Sequence, residues 1–200
     1  MRLYGHPDSG HAFKVRAALC HAGVEHDYQV VDIWRPLSDR SPDFQAASRF
    51  GEVPCLVDDD GVARVQSNAI LLHLMDAHAV GDATQRVRSV EWLCWEANKI
   101  GMCLPQLRVA ARFEPDAFTP GALAWLRSRY DSDVARLEIE LSDGRAFITG
   151  EHVSVADFSL CGYLVFADEA ELPVPDGVSG WLARMARLPG WQAPYELMAG

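Results

Sequence analysis

A small α/β unit followed by an all-α unit is the fold class this sequence predicts. Three observations carry that expectation. Up to about Ala79, β-forming runs alternate with apolar runs at helical spacing. Beyond Val80–Ala83 the strand signals nearly vanish and long amphipathic helices follow. The chain has 200 residues, enough for two small domains with real cores. The expected division is residues 1–79 and 84–200, with Val80–Ala83 as the linker.

The elements can be justified in order. Arg2–His6 reads as a short strand and Pro7–Gly10 as a turn. A helix is expected over Gly10–Ala22, with Phe13, Val15, Ala17, Ala18 and Leu19 apolar and Gly23 as its stop. Asp27–Ile33 carries β-formers, and a strand–helix–strand order makes the two strands parallel. Ser41–Pro42 looks like an N-cap and first helical position for a short helix to Ala47. Val53–Pro54 opens an apolar run, Asp59–Asp60–Gly61 reverses the chain, and Val62 and Val65 fit a returning strand. Ser67 then reads as the N-cap of a helix to Ala79, so a hairpin runs into a helix N-terminus. Free N–H groups and a positive dipole end suit a carboxylate ligand there. The order βαβαββα is the thioredoxin-like arrangement.

In the second part, one long helix is expected from Ala83 to Phe113, bent near Gly101 or Pro105. Thr119–Pro120 starts another, which Asp143–Gly144 ends. Ser154-Val155-Ala156-Asp157 is a capping-box variant ahead of an apolar helix over Phe158–Ala170, and a last helix spans Ser179–Arg187.

Composition narrows the function classes. Hydrophobic residues make up 49% and charged residues 23%, as in a globular chain. The net charge of −10 argues against a nucleic-acid partner, because phosphate binding needs a basic excess. Five cysteines, an odd number without CxxC or Cys/His metal spacing, are the usage of a reducing compartment. No charged-then-apolar leader opens the chain, and no apolar run nears the ~20 residues of a membrane span. The expectation is a cytoplasmic protein with no membrane partner and no metal.

The hairpin and the helix after it resemble the glutathione-binding hairpin of the cytosolic glutathione transferases. The segment Phe147-Ile148-Thr149-Gly150-Glu151 with Ser154–Asp157 is similar to a second segment of that family, and Ser154 and Asp157 read as folding residues. The run from Ser9 to Arg16 is similar to a bacterial serine-type subgroup. The resemblance implies that a Val53–Pro54 cis peptide offers backbone groups to the cysteine of glutathione. It implies that Gln66 and Ser67 grip the γ-glutamyl carboxylate, and it puts Arg40 and Glu52 near the same ligand. Asp39, beside Arg40, would repel a carboxylate. It further implies a homodimer and an electrophile pocket bordered by His11, Trp95, Arg108 and Arg112.

The implied chemistry is attack by a thiolate. A free thiol has a pKa of about 8.5, and lowering it by ~2 units stabilises the thiolate by ~2.7 kcal/mol. Ser9, at the start of the first helix, is the expected hydroxyl donor and also suits a helix cap. Tyr4 is the rival donor and is expected to pack instead. His73 and His78 lie on one helix but five apart, a poor spacing for sharing a face. Three readings follow: conjugation of glutathione to a small apolar electrophile; other glutathione chemistry such as peroxide reduction, isomerisation or dehalogenation; or a transferase-like protein that binds without catalysis.

Overall fold

The computed structural model describes residues 1–200, apart from the side chain of Ala83. The chain divides into two compact units, Met1–Ala83 with Leu188–Gly200, and Thr84–Arg187.

The first unit holds a four-stranded sheet of β1 (Arg2–Gly5), β2 (Asp27–Val30), β3 (Cys55–Val57) and β4 (Ala63–Val65), in the order β2-β1-β3-β4. The β1–β2 pair is parallel and the other two pairs are antiparallel. Parallel neighbours need a crossover, and α1 (Gly10–His21) supplies it. The second strand stops at Val30, three residues before the expected Ile33. α2 (Pro42–Ala47) starts on its Ser41 cap, and α3 (Ser67–His78) follows the hairpin.

Pleating sends alternate β1 residues to opposite faces. Gly5 faces α1: a Cβ there would lie 3.1 Å from the Ala12 Cβ and 2.8 Å from the Tyr28 ring. Tyr4 faces the other way and stacks edge-on against Phe44 of α2, with centroids 5.5 Å apart. Tyr4, Val31, Phe44, Cys55 and Val65 form the core on that side. Each such large side chain contributes about 1.5–3 kcal/mol of burial.

The second unit is helical: α4 (Arg86–Ala97), α5 (Ile100–Arg108), α6 (Pro120–Leu141), α7 (Val155–Leu164) and α8 (Asp176–Met185). The expected long helix is two helices, broken at Asn98–Lys99, and Pro105 lies inside α5. The break needs Gly101. A Cβ on it would sit 2.3 Å from Glu96 Oε1 and 2.9 Å from the Glu96 carbonyl oxygen. α5 then unwinds into a π turn at Val109–Phe113.

The Ser154–Asp157 box is present at the start of α7. Asp157 accepts hydrogen bonds from the Ile148 and Ser154 N–H groups, the Ser154 hydroxyl and the Trp181 indole, all at 2.8–2.9 Å. α7 starts and ends earlier than expected, and a 3-10 turn takes Asp168–Ala170. α8 starts at Asp176 instead of Ser179 because Glu138 of α6 accepts the N–H groups of Gly177 and Val178 at 3.0 and 2.9 Å. That cap comes from a distant helix.

The expected second unit ran to residue 200, but Leu188–Gly200 groups with the first unit. It carries a helix that sequence patterning missed, α9 (Pro194–Met198). Trp191 meets Phe13 edge-on at 5.4 Å. Arg16 Nη1 donates to the carbonyls of Leu197 and Ala199. Among the described residues, no helix is long and apolar enough to cross a membrane.

Candidate active site

Ser9 caps α1. Its Oγ accepts the Ala12 N–H at 3.1 Å, which leaves its own hydroxyl hydrogen to donate elsewhere. The preceding turn closes with the Ser9 N–H donating to His6 O at 2.9 Å. Tyr4 is buried on the α2 face, as expected of a packing residue.

Tyr4 pairs with Cys55, and Cys55 pairs with Val65. Both ladders reach Cys55, so Val53 and the cis Val53–Pro54 bond lie just ahead of the paired part of β3. Val53 precedes β3 and its backbone N–H and C=O take no part in the ladder.

Gln66, not Ser67, is the cap residue of α3, and Ser67 is its first helical residue. No Gln66 side-chain bond caps the helix, because Gln66 has φ 71° and ψ 111° and turns its amide to Glu52 Oε2 at 3.0 Å. A non-glycine residue in that region costs about 1–3 kcal/mol and persists where its surroundings impose it. Ser67 Oγ lies 3.5 Å from His11 Nδ1, so the first turns of α1 and α3 meet. Lys14, wholly buried on α1, donates to Asn68 Oδ1 at 2.8 Å and ties the same two helices.

Other expected residues do different work. Arg40 donates to the carbonyls of Gly51, Ile33 and Arg35 at 2.7–3.2 Å, so its guanidinium braces the loop ahead of the hairpin. His11 belongs to the first unit, and Trp95, Arg108 and Arg112 to the second. Arg108 Nε donates to Glu169 Oε2 at 2.6 Å and stacks 4.1 Å from the Phe166 centroid. Arg112 pairs with the other oxygen of Glu169 at 2.7 Å. Trp95 meets Trp92 edge-on and lines an open cavity of about 680 Å³ with Arg88 and Glu91.

His73 and His78 do meet, with ring centroids 6.2 Å apart, contrary to the expectation from spacing. His73 Nε2 lies 3.2 Å from Asp58 Oδ2, which also pairs with Arg64. Among the described residues, no group of three or more His, Cys, Asp or Glu is placed to hold a metal ion.

Sequence reasoning passed over Lys14, Asp8, Trp34 and Tyr195. Lys14 carried a signal, a charged residue standing between the buried Phe13 and Val15. Trp34 and Tyr195 carried none, because both reach Asp8 from distant parts of the chain.

Residues 8–77 match the family "Glutathione S-transferase, N-terminal domain". The whole fold matches a glutathione S-transferase crystal structure from Xanthobacter autotrophicus, 29% identical, with a TM-score of 0.83 and coverage of 96% of this chain and 95% of that one. The first unit therefore carries a glutathione S-transferase N-terminal domain, and the whole chain has the fold of a solved glutathione S-transferase. A zeta-class glutathione S-transferase from Euphorbia esula is 27% identical over 80% of this chain and 72% of its own. A glutathione transferase homologue from Lodderomyces elongisporus, solved with two GSH per subunit, is 20% identical and shares the fold, with a TM-score of 0.86 over 99% and 98% of the two chains. Ser9, Val53 and Gln66–Ser67 all fall within the matched segment, at the cap of α1, ahead of β3 and at the start of α3.

Proposed function

We propose that this glutathione S-transferase homologue joins the thiolate of glutathione to a small apolar electrophile. The observation that supports the reading is the meeting of the first turns of α1, capped by Ser9, and α3, which starts at Ser67, through Ser67 and His11. An extended peptide laid along Val53 finds an open N–H and C=O there. Its γ-glutamyl carboxylate then meets Ser67 and the first turn of α3, whose N–H groups and dipole favour an anion. Gln66, held by Glu52, adds a polar side chain at the same end. Arg40 serves by bracing the loop, and Pro54 is buried behind Val53.

The cysteine sulfur comes to Ser9. The serine hydroxyl donates to the thiolate and the α1 N-terminus adds a positive dipole end, so the thiol proton leaves to water. The sulfur lone pair then forms the new bond to carbon, and the leaving group departs with the electrons of the bond it breaks. His11, Trp95, Arg108 and Arg112 are offered for the electrophile side, with Arg108 and Arg112 acting through Glu169. The reading takes the protein as a cytoplasmic homodimer of the bacterial serine type acting in detoxification. Sedimentation at twice the 22.1 kDa of one chain would support the dimer, and sedimentation as a monomer would remove it.

Ser9→Ala tests the chemistry. With glutathione still bound, the variant should lose about 10²-fold in turnover, the scale of one lost oxyanion donor. Unchanged turnover would overturn the Ser9 assignment. Retention of the wild-type protein on immobilised glutathione tests the ligand itself, and failure to bind would remove the whole reading.

A further inference from the structure

Asp8 stands one residue before Ser9. A bare carboxylate is the wrong group beside a thiol that must ionise, because a like charge raises the thiol pKa. This carboxylate is not bare. The Trp34 indole N–H donates to Oδ2 at 3.3 Å, and the Tyr195 hydroxyl donates to Oδ1 at 3.4 Å. His6 Nδ1 accepts the Asp8 N–H at 3.1 Å and lies 3.7 Å from Oδ2. Trp34 and Tyr195 are 48% and 37% exposed, whereas the Asp8 side chain is 18% exposed. Two large rings that stay in solvent while their polar atoms turn to one carboxylate are not placed by burial alone.

The Tyr195 bond comes from α9, and the C-terminal segment is moored independently of it. Trp191 rests on Phe13, and Arg16 donates to the carbonyls of Leu197 and Ala199. The donor on Asp8 is therefore delivered by a segment far from Ser9 in sequence.

We propose that Asp8, held by Trp34 and Tyr195, is a positioning residue that sets how readily the thiol at Ser9 ionises, so that the docked C-terminal segment tunes the reaction. The inference rests on the reading that the sulfur of glutathione lies at Ser9. Spreading the Asp8 charge onto two donors weakens its repulsion of the thiolate while its backbone keeps the Ser9 turn. His6, just after β1, is a titratable group beside it, and the Asp32 charge acts on the same His6 ring.

The test is the pKa of the bound thiol, read from thiolate ultraviolet absorbance of the glutathione complex across pH. Asp8→Asn removes the charge and should lower that pKa by roughly half a unit or more. Tyr195→Phe keeps its ring and Trp34→Phe puts a smaller phenyl in place of the indole; each removes a donor, and both should raise it. A merely structural role, loosening the turn, would move all three the same way. Opposite signs support the inference. Shifts of one sign, or none, with Ser9→Ala still raising the pKa, overturn the role of Asp8 and leave the Ser9 reading standing. Absence of a thiolate signal in the wild-type complex overturns both.

Discussion

His6 Nδ1 accepts the Asp8 N–H, so the turn ahead of Ser9 uses a neutral imidazole. Burial pulls the His6 pKa below its usual range, against the smaller upward pull of Asp8 and Asp32. A histidine depressed in the fold adds stability that is present above its unfolded value, about 6.5, and fades as pH falls through the lower folded value. Amide protection at Asp8 and Ser9, taken relative to the intrinsic exchange rate at each pH, should therefore fall as pH drops below about 6.5. Protection that stays flat across that window would show that His6 does not hold the turn. Asp39 gives a second residue-scale expectation. It is exposed next to Arg40, with Oδ1 accepting from Ser38 Oγ. If a glycyl carboxylate comes near, Asp39→Asn should lower KM for glutathione by about two- to fivefold, the scale of one exposed charge interaction. A KM that holds or rises would place that carboxylate elsewhere.

At the scale of elements, the break between α4 and α5 depends on a missing side chain. Gly101→Ala drives a Cβ against the carboxylate and carbonyl of Glu96, whose Oε2 also accepts the Ser159 hydroxyl at 3.1 Å. Overpacking of this kind costs about 1–3 kcal/mol, which urea unfolding would read as a lower midpoint at unchanged slope. A midpoint equal to wild type would mean that the helix ends move apart freely. The start of α7 depends on one carboxylate instead. Asp157→Ala leaves the Ile148 and Ser154 N–H groups and the Trp181 indole without their acceptor, all buried. The expected loss is about 3 kcal/mol or more, far beyond a surface cap. A loss near 1 kcal/mol would reduce Asp157 to an ordinary helix cap.

The whole chain leaves its first unit at Ala83 and returns to it at Leu188. The return is fastened at three kinds of contact: an aromatic pair at Phe13, carbonyls on Arg16, and a phenol on Asp8. Trp191→Ala removes the first. Limited proteolysis should then cut within Leu188–Gly200 sooner than in wild type, while the sheet core resists. Equal cutting rates would mean that Arg16 and Tyr195 hold the segment unaided.

Local chemistry made much of this legible in advance. Ser41–Pro42 begins α2 and Ser154–Asp157 begins α7, because a cap needs only residues a few positions apart. The strand–helix alternation likewise announced the parallel β1–β2 pair, since that connection needs a crossover. For the site, the resemblance named Ser9, Val53, Gln66 and Ser67; the structure puts Ser9 at the cap of α1 and Ser67 at the start of α3, where Ser67 meets His11. What the sequence by itself determined was most of the local elements, with their caps and turns. Only the tertiary structure decided partners that lie far apart in the chain: Glu138 capping α8, Glu169 taking Arg108 and Arg112, and Trp34 and Tyr195 meeting at Asp8. The physical reason is that caps and turns are satisfied within a few residues, whereas buried charges and unpaired donors take whatever acceptor the packing brings near.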